Sequence, residues 1–259
     1  MHKKLLTIIL TALLFFSAVA LGSATVFRVD EVAVVATVVS EEATTDVAEL
    51  QNVLLTMYQG KGIFSVKRRD MSAIMEEYSY LRVVEFRKAY PNKIIVTVEE
   101  EAEVYAVEKE DGGYYILGAA GVILALRDAP KNRLDDMDNI VIKGVSLSGE
   151  KGGVLSGDDC WDNVLSLCQE MDKMLGGIRS NVLSVEVLTR SPEALYKFTM
   201  TEGVKIYVGN PTVMTEEKVK KAMNEYMALS NEQRMTGRIT VRDAEGKVFI
   251  AYASTDEFE

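Results

Sequence analysis

Histidine is almost missing from this chain. The single copy is His2, at the N-terminus, so no Ser/His/Asp or Cys/His catalytic arrangement can form in the body of the protein. The usual His-rich zinc sites are excluded with it. Cysteine is scarce too. Cys160 and Cys168 lie in one helix-like segment, where a 1.5 Å rise per residue separates them by roughly 12 Å, too far for a disulfide. Both read as small core hydrophobes. Positive charge is in deficit: 29 Lys and Arg face 39 Asp and Glu, a formal net charge of −10. That argues against nucleic-acid binding, which needs a basic face to neutralise phosphates, and against a lipid-surface domain that relies on basic residues.

What is present is an ordinary globular mix, 48% hydrophobic and 26% charged over 259 residues, enough for a sizeable core and more than one domain. The N-terminus is distinct. "MHKKLLTIILTALLFFSAVALGSATVF" places Lys3 and Lys4 before an uncharged apolar run from Leu5 to Phe27. That run is long enough to cross a bilayer as a helix, with the lysines on the cytoplasmic side and the rest of the chain outside. Ala18-Val19-Ala20 also fits a signal-peptide cleavage site. Either reading exports the body of the protein; they differ in whether it stays tethered.

The exported part opens with a valine-rich strand pattern over 27–39. A helical stripe follows at Val47, Leu50, Val53, Leu54 and Met57, with Thr45 or Asp46 as the expected N-cap and Gly60 and Gly62 as the stop. A shorter helix is expected from about Arg69 to Tyr78. "LRVVEFRKAYPNKIIVTVEEE" then reads as a hairpin turning at Tyr90-Pro91-Asn92-Lys93. Val84 and Phe86 are expected on one face of its first strand, and Ile94, Val96 and Val98 on one face of its second. The order strand, helix, helix, strand, strand makes a small α+β unit.

From Glu103 the texture changes to short strands broken by Asp111-Gly112-Gly113, Gly118 and Gly121. Asp158 or Asp159 is expected to cap a helix running to about Leu175. A second helix is expected in "TEEKVKKAMNEYMALS", with a capping-box start at Thr215 and Lys218 in place of the ideal Glu. "GRITVRDAEGKVFIAYAS" closes the domain as a hairpin turning at Ala244-Glu245-Gly246.

Glu99, Glu100 and Glu101 end the earlier hairpin. Neighbours on a strand alternate faces, so Glu99 and Glu100 do not converge on one substrate as a catalytic carboxylate pair must. A structural role is expected, with Glu100 paired to a basic neighbour such as Arg87 or Lys88. "GGYYILGAAG" sits in a hairpin and not between a strand and a helix, so it is no nucleotide loop.

These features together resemble the FtsQ/DivIB family of bacterial cell-division proteins. "FRVDEVAVV", "GIFSVKRRDMSAIM" and "FRKAYPNKIIVTVEE" are similar to successive parts of that family's POTRA domain. "GGYYILGAAGVIL", "IVIKGV", "EGVKIYVGN" and "GRITVRDAEGKVFIAY" are similar to its second domain, with Gly121, Gly144, Gly209 and Arg242 in matching places. The resemblance implies an α+β protein: a cytoplasmic tail at 1–4, a retained transmembrane helix at 5–26, a β-α-α-β-β POTRA domain at 27–101, a mixed β-rich domain with two helices at 102–253, and a flexible tail at 254–259. It implies a non-enzymatic divisome scaffold in the cell membrane at the division septum, single-pass with its C-terminus outside, with no cofactor and no metal. The implied partners are FtsB/DivIC-like and FtsL-like single-span proteins and the lipid bilayer. An exposed strand edge offers unpaired main-chain groups to a partner strand. "KVFIAYAS" is the expected edge, with Arg242, Val248, Phe249, Ile250 and Tyr252 as its binding residues; the competing expectation is that Val248, Ile250 and Tyr252 face the domain's own core. Two other function classes compete with this reading. A secreted or tethered cell-wall hydrolase lacks a catalytic set, and a transport component of an outer membrane would need a C-terminal barrel.

Overall fold

The structure, a computed structural model, describes residues 26–190 and 194–256. The expected transmembrane helix at 5–26 lies outside these residues except for Val26. Among the described residues no helix is long and apolar enough to cross a membrane. The chain forms two compact units, the first ending at Glu101 and the second starting at Ala102.

In the first unit, β1 (Glu31–Thr37), α1 (Glu41–Tyr58), a 3-10 turn (Arg68–Met71), α2 (Ser72–Glu77), β2 (Leu81–Ala89) and β3 (Lys93–Glu100) follow in order. The sheet order is β1-β3-β2, with β1 parallel and β2 antiparallel to β3. Ile94, Val96 and Val98 alternate into the core, where Leu50, Leu54 and Tyr58 of α1 complete the same cluster. Parallel pairing of β1 with β3 requires a crossover, and the helices between them supply it.

The structure departs from two expectations in this unit. On β2 the inward residues are Val83 and Phe86, while Val84 is exposed. A bulge between Val83 and Glu85 inserts one extra residue and breaks the period of two. The N-cap of α1 is Ser40, not Thr45 or Asp46. Its hydroxyl accepts from the Ala43 N–H at 3.1 Å, and the helix gains a turn at its start.

The second unit carries a nine-stranded mixed sheet. Its strands are β4 (Glu103–Glu108), β5 (Tyr114–Gly118), β6 (Ile123–Arg127), β7 (Ile140–Lys143), β8 (Val182–Thr189), β9 (Leu195–Met200), β10 (Lys205–Gly209), β11 (Arg238–Ala244) and β12 (Lys247–Ala253). The order is β12-β11-β10-β9-β8-β7-β4-β5-β6. Its helices are α3 (Cys160–Leu175), α4 (Thr215–Ala228) and α5 (Asn231–Met235), the last a single short helix beyond the two expected.

Trp161, Cys168 and Met171 of α3 and Val219, Ala222, Met223 and Tyr226 of α4 bury their stripes in one cluster with Tyr196, Phe198, Ile206, Val208, Ile239 and Val241 of the strands. Both cysteines are buried and free. At the head of α3 the capping acid is Asp158, whose carboxylate accepts from the N–H groups of Cys160 and Ser146, each at 2.9 Å. Asp159 makes no cap bond.

The capping box at Thr215 does not form. Met214 precedes α4 in a left-handed conformation (φ 53°), and the Thr215 hydroxyl donates to the Pro211 carbonyl. Lys218 is instead a core residue, 0% exposed. Its ammonium donates to the carbonyls of Gly209 (2.8 Å) and Asn210 (2.7 Å) and to Asp243. A buried ammonium needs such partners, because its three donors cannot be left dry.

Candidate functional site: an open sheet edge

β12 is a terminal strand of the nine-stranded sheet, and among the described residues it pairs with β11 alone. The two strands join through Glu245 and Gly246, with φ of 51° and 71°. Positive φ at both central residues is the mark of a type I′ turn, which matches the twist of the strands it joins. In such a hairpin the flanking pair, Ala244 and Lys247, exchanges hydrogen bonds, and bonded and non-bonded pairs alternate from there. With the register Arg242–Phe249, Val241–Ile250 and Ile239–Tyr252, the main-chain groups of Phe249 point inward to β11. Those of Val248, Ile250 and Tyr252 point out, to the open edge. The Val248 carbonyl confirms the direction: it accepts from the ammonium of Lys221 on α4, at 3.0 Å.

The side chains follow the other alternation. Val248 is 6% exposed and belongs to the core, with Ile250 and Tyr252 partly buried against the same cluster. Phe249 is 54% exposed. Its cross-strand partner Arg242 is exposed on the same face, with its stem packed over Gly209 of β10, which has no side chain in the way. The five expected residues are thus brought together on one hairpin in two sets. Arg242 and Phe249 present side chains. Val248, Ile250 and Tyr252 present backbone at the edge and side chains to the core. Arg242 and Asp243 also line an open concavity of about 330 Å³ with Gly209, Asn210 and Leu195.

Three neighbours of this hairpin went unread in the sequence. Lys221 occupies one edge carbonyl. Lys218 fixes Asp243, and the hydrogen bond from Lys218 holds the Asp243 carboxyl below the usual carboxylate value. Asp256 accepts from the Tyr207 hydroxyl at 2.8 Å and pairs with Lys205. Burial raises the Asp256 carboxyl, but the bonds from Lys205 and Tyr207 outweigh it and leave the value lowered. Asp256, expected within a tail at 254–259, makes these two contacts; residues 257–259 lie outside the described part. The spacing of Lys218 and Lys221 on α4 was a usable signal for two lysines on neighbouring positions of one helix face, but not for which would be buried.

In the first unit the acids are structural. The Glu100 carboxylate accepts from the N–H groups of Val39 (2.6 Å) and Ser40 (3.0 Å) and from the Ser40 hydroxyl (2.7 Å). The register sets Glu100 opposite Leu81, while the expected partners Arg87 and Lys88 lie opposite Ile95 and Ile94, towards the other end of the hairpin. Glu99 and Glu101 both bind Arg82, at 2.9 and 3.1 Å.

The fold of the first unit, two helices on one face of a three-stranded sheet in the order β1-β3-β2, is that of a POTRA domain, and residues 33–101 match the family described as POTRA domain, FtsQ-type. That match supports an FtsQ/DivIB-family protein. Comparison of the chain with curated proteins finds no match.

Proposed function

We propose that this protein is a membrane-anchored, non-enzymatic cell-division scaffold that binds extracytoplasmic segments of other septal membrane proteins by strand addition to β12. The FtsQ-type POTRA match supports the cell-division role, and the resemblance supports partners of the FtsB/DivIC and FtsL kinds and a part in controlling septal peptidoglycan synthesis. The observation that carries the mechanism is the open edge of β12, with the main chain of Ile250 and Tyr252 directed outward and Phe249 and Arg242 beside it. Main-chain bonds would give affinity and the flanking side chains specificity. The apolar run from Leu5 to Phe27 would hold the exported units at the cell membrane.

Co-purification of the full chain with single-span septal proteins tests the reading. Recovery of a complex in which amide exchange slows at Ile250 and Tyr252 is the expected result. A complex that leaves this edge unprotected overturns strand addition. Turnover of a glycan or peptide by purified protein overturns the scaffold reading in favour of a tethered hydrolase.

A further inference from the structure

An aromatic cluster sits at one end of the first unit. Phe64 is 63% exposed and Tyr90 is 58% exposed. Their rings stack at 5.4 Å, and Phe27 packs on Phe64 at 5.3 Å. Solvent-facing stacked aromatics need a reason, since each leaves a large apolar area in water. Main-chain bonds also tie together the segments that carry the cluster. The Ile63 N–H donates to the Phe27 carbonyl (2.8 Å), the Val29 N–H to that of Lys61 (2.9 Å), and the Gly60 N–H to that of Val29 (2.9 Å). The Asp30 N–H donates to the Asn92 carbonyl at 3.0 Å, tying in the turn that carries Tyr90.

Phe27 has two memberships. It is the last residue of the uncharged run that starts at Leu5, and it is part of the cluster. The chain therefore leaves the apolar run within one ring contact of Phe64. Exposed Val26 extends the apolar surface. The surrounding charge is mostly positive in a chain that is acidic overall: Arg28 and Lys61 are exposed, and the Lys88 ammonium reaches the Phe64 carbonyl at 3.3 Å. The nearby acids are Asp30, which accepts from the Asn92 amide at 3.1 Å, and Glu31, which pairs with Lys93 at 2.6 Å.

We propose that Phe27, Phe64 and Tyr90 form a foot that rests in the headgroup layer of a bilayer containing anionic phospholipid, with Lys61 and Lys88 facing lipid phosphates. Aromatic rings partition to the membrane–water interface, and basic residues near the surface add attraction to anionic lipid. Because main-chain bonds tie the cluster's segments together, the foot sets how the POTRA domain stands on the membrane. The inference rests on the reading of Leu5–Phe27 as an anchor.

The test uses the full chain reconstituted in phosphatidylcholine vesicles with phosphatidylglycerol as the minor component. The phosphatidylcholine is brominated near the headgroup end of its acyl chains. Phe64→Trp should give a blue-shifted indole emission that the brominated lipid quenches. The wild-type chain, whose one tryptophan is the buried Trp161, supplies the unquenched background. Tyr90→Trp is the second reporter, in case the first variant folds poorly. Protein that floats with the vesicles after an alkaline wash, yet gives unquenched emission, overturns the foot and leaves the anchor standing. A blue shift without quenching also overturns it, by assigning the cluster to a protein segment or a second copy. Protein that does not float defeats the anchor and the foot together.

Discussion

The Glu100 carboxylate holds the Ser40 N–H at 3.0 Å and the Ser40 hydroxyl at 2.7 Å, so the last residue of β3 caps the start of α1 from 60 positions away. Three acids in a row at a strand end invite a catalytic reading. This contact explains the middle one as the clamp that joins strand and helix. An anion at a helix N-terminus satisfies orphan N–H groups and meets the positive end of the dipole.

Glu100→Ala is expected to destabilise the first unit by about 1–3 kcal/mol, the range for losing charge-assisted bonds and a helix cap. Urea unfolding of the full chain would show an earlier transition for this unit. Amide exchange would rise first at the opening turn of α1. A loss spread evenly over both units would contradict the assignment.

At the other end of the chain, the turn at Glu245–Gly246 decides which proline is informative. Ile250→Pro removes an N–H that faces the open edge and is expected to weaken partner binding about tenfold or more, with little change in unfolding temperature. Phe249→Pro removes an N–H that bonds back to β11, so it should lower both stability and binding. Phe249→Ser, which keeps the backbone donor, should weaken binding less than Ile250→Pro if main-chain bonds dominate. Titration of the purified partner with each variant separates these outcomes.

Lys218→Met is expected to cost about 1–3 kcal/mol, because the carbonyls of Gly209 and Asn210 lose their donor. Asp243→Asn probes the same contact by pH. The folded Asp243 carboxyl lies below its ordinary value, chiefly through its bond from Lys218. Its stabilisation is therefore complete above the unfolded carboxyl's value of about 3.9 and disappears as pH falls through the lower folded value. The gap in stability between the native chain and Asp243→Asn should shrink in that acid window. A gap that stayed constant down to the acid limit would remove Lys218 as the cause.

Burial pushes the Cys168 thiol up to about 12. In the unfolded chain a thiol ionises near 8.5. Folding therefore favours the protonated form, and its contribution is fully present below about 8.5 and is lost as pH climbs toward 12. Native protein should resist thiol reagents at neutral pH, and its urea midpoint should fall across that alkaline range. Cys168→Ala should flatten part of the slope. Rapid labelling of Cys168 in the native state would contradict the burial.

How much of this was legible beforehand differs from element to element. Ile94, Val96 and Val98 read correctly because an uninterrupted strand repeats every two residues. Val84 misread because one inserted residue on β2 shifts the inward positions to Val83 and Phe86. The helix start misread because the partner that favours Ser40 is Glu100, far along the chain. Of the candidate site, the hairpin and its turn were visible in "RDAEGKVF", and the two-residue loop carries the direction of the edge groups. That β12 lies at the end of the sheet, with β11 as its one strand neighbour among the described residues, was not visible, since strand order depends on all nine strands together.

The amino-acid order by itself determined the local periods: the alternating strands, the helical stripes, the uncharged N-terminal run, and the shortage of histidine that removes the common catalytic sets. These depend on near neighbours and on composition, which a linear reading contains. Only the tertiary structure decided that Glu100 caps a helix, that Lys218 lies in the core against Asp243, that β12 is the terminal strand of its sheet, and that Phe64 and Tyr90 stack beside Phe27. Each of these is a meeting of segments distant in sequence, and such meetings are chosen by the packing of the whole unit.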